Sequence, residues 1–428
     1  MEKLKQIWQS KQLRNKILFT IGIIVIYRLL AQVSIPGINL AALKAIFEQN
    51  SFFSVLSVLT GGSAENFSIV LMGLSPYINA SIIVQLLTVV IPKFEELSKE
   101  GEQGQKTLNS YTRWLTLPLA ILQAYAMILV LNSQSQVPII SNISEPAVVL
   151  PIMLTVTAGT VLLMWLGELI GERGIGNGIS LLIFAGIVAS VPTAIGQNVL
   201  IATQDASKLV PVVALVLLTL VLIISTVLIT EAYREIPVSY ASRSTKGQLS
   251  KLPIKINQAG MIPIIFAVSI TTFPNLMAQL LQNSTVDVLK GFSSFITTHF
   301  TLNSPLYLVS LFALIMGFTY FYVSITFNPE KVSENIQKRG GYIPGIRPGK
   351  ETAEYLSKVS NRLNLFGGLF IATIATLPIA IQIVIGGNAN SLPLLISGAG
   401  ILIIVGVILD LMRQVNAQLI MHDYDKLY

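Results

Sequence analysis

Ten apolar stretches run through this chain, at about 17–33, 71–91, 114–132, 148–169, 178–194, 209–230, 259–281, 305–327, 363–385 and 393–411. A helix needs roughly 20 apolar residues to cross about 30 Å of hydrocarbon. The 428 residues are therefore expected to form an all-α membrane protein of ten transmembrane helices. The composition, 53% hydrophobic against 11% charged, excludes an ordinary soluble domain. Proline and glycine fall inside several stretches, which membrane helices tolerate. The first stretch follows a basic segment but lacks a small-residue cleavage pattern, so it is expected to be a span and not a removed signal.

Lysine and arginine orient the bundle. Segments 1–16, 92–113, 170–178, 231–258, 328–362 and 412–428 hold 24 of the 28 basic residues, and the alternate loops hold only Lys44, Lys208 and Lys290. By the positive-inside rule both termini and the basic loops are expected to be cytoplasmic. Five spans precede the outer loop near 195–208 and five follow it. Two halves, 1–200 and 201–428, would then have inverted topology and face each other around a midplane pathway. Arg28, the one deep charge, fits two positions: a water-filled interior, or a place near the headgroups reached by snorkelling.

One apolar segment is too short to span. Within Ser51–Phe67 (SFFSVLSVLTGGSAENF) the apolar run holds Phe52, Phe53, Val55, Leu56 and Leu59. Eight residues of helix cover roughly 12 Å. The flexible pair Gly61-Gly62 follows. Two readings fit equally: a short re-entrant helix that stoppers a pathway, or an interfacial helix on the outer leaflet. In the second span Ser81, Gln85 and Thr88 share one face, and Ile78 and Ile82 form a stripe at i, i+4. Ile183 and Ile187 repeat that spacing in the fifth span. Such stripes usually face lipid or pack in the bundle; lining a hydrated path, they would form an apolar constriction that blocks ions by dewetting.

The chemistry of the chain argues against a pump or an enzyme. Coupled carriers use a mid-membrane carboxylate, whereas Glu168, Glu231 and Asp410 sit at the basic-side ends of spans. There is no cysteine, and His299 and His422 are far apart, so neither a thiolate site nor a histidine-built metal or catalytic site is expected. The run Gly345–Lys350 resembles a phosphate loop but has three residues between its glycines instead of four, and Glu351 stands where Ser or Thr would bind magnesium. No cofactor is expected.

The same run has another use. Pro344 and Pro348 stiffen the backbone and Gly345 and Gly349 permit turns, so Arg347 is presented at a stiff tip. A presented arginine suits carboxylate or RNA phosphate; it can equally anchor its own loop. The 231–258 loop carries Arg234, Arg243, Lys246, Lys251 and Lys255, either for a partner or as topogenic charge, and anionic headgroups would suit both loops.

Four long motifs bring a family into view: Gly73-Leu74-Ser75-Pro76-Tyr77-Ile78-Asn79-Ala80-Ser81-Ile82-Ile83; Glu172-Arg173-Gly174-Ile175-Gly176-Asn177-Gly178-Ile179-Ser180; Leu252-Pro253-Ile254-Lys255-Ile256-Asn257-Gln258-Ala259-Gly260-Met261-Ile262-Pro263; and Phe327-Asn328-Pro329 through Gly341-Tyr342-Ile343-Pro344-Gly345-Ile346-Arg347-Pro348-Gly349. In this order, over nearly the whole chain, they resemble the SecY family of protein-conducting channels. The resemblance implies an hourglass pore between two inverted five-helix halves. It implies a waist ring of Ile78, Ile82, Ile183, Ile187, Ile265 and Ile403, the last two resting on the resemblance alone. It makes 51–67 the plug and places a lateral gate between spans two and three and spans seven and eight, with Gln85 and Asn257 as polar gate residues. It gives Arg243, Lys246, Lys251, Arg347 and Lys350 to loops that engage the ribosome or the SecA motor. Implied partners are SecE, SecG, SecA, the ribosome, signal peptides with nascent chains, and membrane lipid; the implied location is the inner (plasma) membrane. The 231–258 loop looks a few residues shorter than in some members. Two rivals predict different behaviour: a small-solute transporter would give saturable uptake by this chain alone, and an insertase without an aqueous pore would show no leak in any waist variant.

Overall fold

In the computed structural model, residues 8, 10–49, 62–134, 138–140, 145–205, 208–240, 250–281, 286–300, 304–385 and 396–425 are described. Among them are fourteen helices: α1 (Lys11–Leu30), α2 (Leu40–Gln49), α3 (Ser75–Val90), α4 (Pro92–Lys99), α5 (Glu102–Gln134), α6 (Pro146–Arg173), α7 (Gly178–Gln204), α8 (Leu209–Glu231), α9 (Ile262–Leu281), α10 (Asp287–His299), α11 (Pro305–Thr326), α12 (Pro329–Lys338), α13 (Lys350–Ile385) and α14 (Gly398–Asp425). Three strands, β1 (Tyr233–Tyr240), β2 (Ser250–Lys255) and β3 (Gly341–Tyr342), form a small sheet.

The ten expected spans fall on α1, α3, α5, α6, α7, α8, α9, α11, α13 and α14. Seven of these are individually long and apolar enough to cross a bilayer among the described residues, and α3 with α4 forms a bent pair that adds an eighth. Of the other two, α1 carries Lys11, Arg14 and Lys16 in its first turns, and α9 is a helix of 20 residues. Arg28 lies in the last turn of α1, at the helix end where the dipole favours a cation.

Boundaries move where proline or polar residues intervene. The second span starts at Ser75 and not at 71, with Pro76 in its first turn, where the missing N–H costs nothing. It stops at Ile91, whose extended backbone (φ −108, ψ 117) is what a following proline imposes. α4 then turns away by 101°. The third and ninth spans are longer than their apolar cores. α5 begins at Glu102 and α13 at Lys350, so both helices reach well into the basic segments. Pro118, Pro151, Pro192, Pro274 and Pro378 all lie inside helices.

The chain divides into two compact units. One comprises Met1–Leu209, Ser269–Tyr307 and Val407–Tyr428; the other comprises Val210–Val268 and Leu308–Gly406. In the first, Phe67, Leu71, Met127, Ile128, Leu131, Ile139 and Ile140 form a core with Leu43 and Val156. Gly159 of α6 meets the chain closely there: a Cβ on it would stand 1.8 Å from the Ile69 carbonyl oxygen. In the second unit β1 lies between β2 and β3. Ile236 and Val238 alternate inward, the period of a half-buried strand. Pro253 sits on the edge strand β2, where no ladder hydrogen bond is lost.

Candidate functional site

The best-built candidate surface is the sheet and helix module between α8 and α13. Ile236, Val238, Ile254, Ile336, Ile343, Leu356 and Val359 make its core. α12 starts sharply because the Asn328 side chain accepts the Lys331 amide at 3.0 Å and Pro329 follows, which satisfies a free helix-end donor. Gly345 (φ +83) and Gly349 (φ +96) take left-handed conformations that favour glycine. Between them the Ile346 amide donates to the Ile343 carbonyl at 3.0 Å.

Two buried hydroxyls then fix this tip. Thr352 Oγ1 donates to the Arg347 carbonyl at 2.8 Å, and Ser333 Oγ donates to the Gly349 carbonyl at 2.7 Å. The Arg347 side chain is 87% exposed and only 3.9 Å from Glu351, a surface pair that contributes little. The backbone at Arg347 is thus pinned while its guanidinium reaches into water. Lys350, also exposed, begins α13. A groove of about 730 Å³ opens between α12 and α13, with Glu330, Glu334, Lys350 and Glu354 on its walls. The hydrogen bond and charge of Lys338 hold the Glu334 carboxyl below the usual range.

The neighbouring hairpin is less fully visible. Arg243 and Lys246 lie outside the described residues. Lys251 is described and pairs with Glu235 across the β1–β2 ladder. Hydrogen bonding to that carboxylate, more than its charge, raises the lysine pKa. Lys251 is therefore engaged within its own hairpin, whereas Arg347 is displayed.

The isoleucines occupy both units. Ile78 and Ile82 lie on α3 and Ile183 and Ile187 on α7, all in the first unit; Ile265 and Ile403 belong to the second. Ile82, Ile187 and Ile403 are buried and Ile78, Ile183 and Ile265 half-buried, so none turns a fully exposed face outward. The polar face of the second span is weaker than its spacing suggests, because the Thr88 hydroxyl donates to the Gln85 carbonyl in its own helix. The Gln85 Oε1 atom is buried without a hydrogen-bond partner. Asn257 is buried, and its side-chain oxygen accepts the Gly260 amide at 2.9 Å, shaping the turn into α9.

Of the plug segment, Phe52, Phe53, Val55, Leu56, Leu59 and Gly61 lie outside the described residues. Gly62 has φ +81. Beyond it the chain is fixed and not a loose joint. Ile35 donates to the Phe67 carbonyl at 3.0 Å, Ile69 to Val33 at 3.1 Å, and the Ser63 hydroxyl to Val70 at 3.2 Å. Phe67 is fully buried with φ +43, an uncommon conformation for an aromatic residue. The anchor of this segment thus starts within the stretch 51–67 itself.

Two structural roles inside the motifs were missed as such in the sequence. Asn177 caps α7 by accepting the Ser180 amide at 3.1 Å, and Asn328 caps α12. Both are flagged by an Asn directly before Gly or Pro and a helical run. A Cβ on Gly178 would stand 1.9 Å from the Gly167 carbonyl, so α6 and α7 approach through backbone. Of the acids near span ends, Glu168 bonds Arg113 at 2.6 Å and Asp410 bonds Arg413 at 3.2 Å.

Comparison with known proteins agrees with this architecture. The SecY family model matches residues 68–412. The protein translocase subunit SecY of Mycobacterium leprae is 42% identical over 436 residues, 97% of each chain. Among solved structures, one of SecY concerned with its plug domain superposes with a TM-score of 0.67 at 19% identity, covering 94% of this chain and 92% of that one. Sec61 in the canine ribosome-channel complex does so at 0.65 and 20% identity, with the same coverage. The chain is a multi-pass membrane protein and belongs to the SecY family.

Proposed function

We propose that this chain is the protein-conducting subunit of a translocase, passing unfolded polypeptides across the membrane and releasing apolar segments sideways into lipid. The observation that carries the reading is the likeness to translocase subunits over 97% of the chain, on a ten-helix bundle whose acids at span ends are paired or solvated. The halves 1–200 and 201–428 are inverted repeats around an hourglass pore. Ile78, Ile82, Ile183, Ile187, Ile265 and Ile403 form its waist. Isoleucine seals without offering hydrogen bonds, so no passing sequence is held. Residues 51–67 plug the outer side; the related SecY plug is described as stabilising the closed state and maintaining a membrane seal. Gln85 and Asn257 flank the lateral gate. A signal peptide, apolar for about 10–20 residues, enters there because it partitions into lipid.

The chain sits in the inner (plasma) membrane with both termini cytoplasmic, as its charge bias favours. Arg347 and Lys350, with Arg243, Lys246 and Lys251 on the hairpin, dock the ribosome or SecA, and ATP hydrolysis comes from that motor and not from this chain. Ribosome docking is supported by the likeness to Sec61 of a ribosome-channel complex. SecE and SecG complete the assembly. Planar-bilayer recording tests the seal. Ile187, fully buried, replaced by Asn should raise the resting ion conductance above that of the parent. Unchanged conductance in Ile78→Asn and Ile187→Asn, with the protein folded, would remove the waist assignment.

A further inference from the structure

The helix α10 connects two spans on the side opposite the basic loops, and its surface is split three ways. At 100° per residue, Ile296 and Ser293 fall on one side, buried, with the Ser293 hydroxyl donating to the Ala278 carbonyl of α9 at 2.6 Å. Lys290, Ser294 and Thr298 fall on a second side, exposed. The third side carries Val288, Phe292 and Phe295, which are 79%, 52% and 54% exposed. His299 extends this third side, stacked on Phe295 with ring centroids 4.8 Å apart. A helix with one face on protein and one in water does not ordinarily leave two phenylalanines and a valine bare on a third.

We infer that this third face lies in the bilayer, making α10 an interfacial helix in the headgroup layer. The tethers favour lipid over any other occupant. Residues 282–286 and 300–304 each extend at most ~18 Å, whereas thirteen residues of helix measure about 20 Å. A helix held so shortly at both ends between two spans cannot stand away from the surface, and it lies along a layer only several ångströms deep beyond the hydrocarbon. Interfacial helices bury their apolar face about 5–10 Å into that boundary. Phe292 and Phe295 supply the buried face, and His299, on the same face at the C-terminal end of the helix, is an apolar ring with a polar rim that suits an interface. α10 thereby ties the outer end of α9, through Ser293, to the depth of the bilayer. The inference goes beyond the channel function and needs only that α9 and α11 span the membrane.

The absence of cysteine permits a direct test. F292C, F295C, K290C and T298C are made separately in the full chain, purified with its bound subunits, labelled with an environment-sensitive fluorophore and placed in lipid nanodiscs. Every site is exposed, so folding is retained, and a monodisperse elution profile checks it. Labels at 292 and 295 should be quenched by a phospholipid carrying a nitroxide near the headgroup and should lose quenching by aqueous iodide. Labels at 290 and 298 should show the reverse. Equal iodide quenching at all four sites would overturn the inference. So would protection of 292 and 295 from both quenchers, which would mean that a protein subunit covers the face.

Discussion

The stiff tip at Arg347 gives the most quantitative prediction. Thr352 and Ser333 are 1% and 3% exposed, and each spends its hydroxyl on one tip carbonyl. Thr352→Val keeps the shape of the side chain and removes the bond to the Arg347 carbonyl; Ser333→Ala removes the bond to the Gly349 carbonyl. The Gly349 carbonyl keeps a second donor, the Ala353 amide at 3.1 Å, so Ser333→Ala leaves that carbonyl bonded. Each should cost about 1 kcal/mol of local stability, the net value of an ordinary hydrogen bond. That is roughly fivefold in a local opening equilibrium, and about thirtyfold for the double variant if the two bonds act independently. Hydrogen exchange reads this at the amides of Ile346 and Ala353, which are bonded inside the tip, and α6 serves as the internal reference. Exchange should accelerate at the tip alone, and affinity for the docking partner should fall although Arg347 keeps its charge. Tip exchange within about twofold of the parent, against a full bond's worth, would refute the view that these hydroxyls hold the arginine in place.

Further outcomes follow from the same geometry. Arg347→Glu should impair motor-dependent translocation while leaving the yield of folded protein unchanged; equal loss of both would make the arginine an anchor of its own loop. Gly159→Ala places a Cβ against the Ile69 carbonyl and should destabilise by about 1–3 kcal/mol, whereas Gly171→Ala in the same helix, with open space around it, should be neutral or stabilising by up to about 1 kcal/mol; equal thermal stability of the two variants would contradict the packing. Glu235→Gln should bring the Lys251 pKa back down to the ordinary lysine value in an NMR titration. Because the folded pKa is raised, the lysine's contribution is present below the ordinary lysine value and is lost as pH rises through the shifted one, so the hairpin should loosen at strongly alkaline pH.

The spans were legible because hydropathy is a summed property, and their ends were not because single residues decide them. Pro92 sets the break after the second span, and the extended backbone at Ile91 follows from it. The extra turns of α13 were hidden by polar composition, although Leu356, Val359 and Leu363 recur at helical spacing and pack on the module core. The sheet was likewise readable in the alternation of Ile236 and Val238, which a charge count over the loop passes over. The glycines around Arg347 were assigned to turns from chemistry alone, and their left-handed angles agree. The buried hydroxyls that pin the tip were not foreseeable, since Ser333 comes 16 residues before the carbonyl it meets. The isoleucine stripes on α3 and α7 were visible as spacing, but Ile265 and Ile403 carry no local pattern and came only through family likeness.

The central claim is that an unfolded chain travels past the waist. A photoreactive side chain placed at position 78 or 187, in the full translocase engaged with a stalled secretory polypeptide, measures this most directly. The account predicts adducts between those positions and the polypeptide, and none from a probe at Leu217 of α8, away from the waist residues and 57% exposed. A translocase that docks and folds normally yet yields no waist adduct, with the polypeptide found elsewhere, would contradict it.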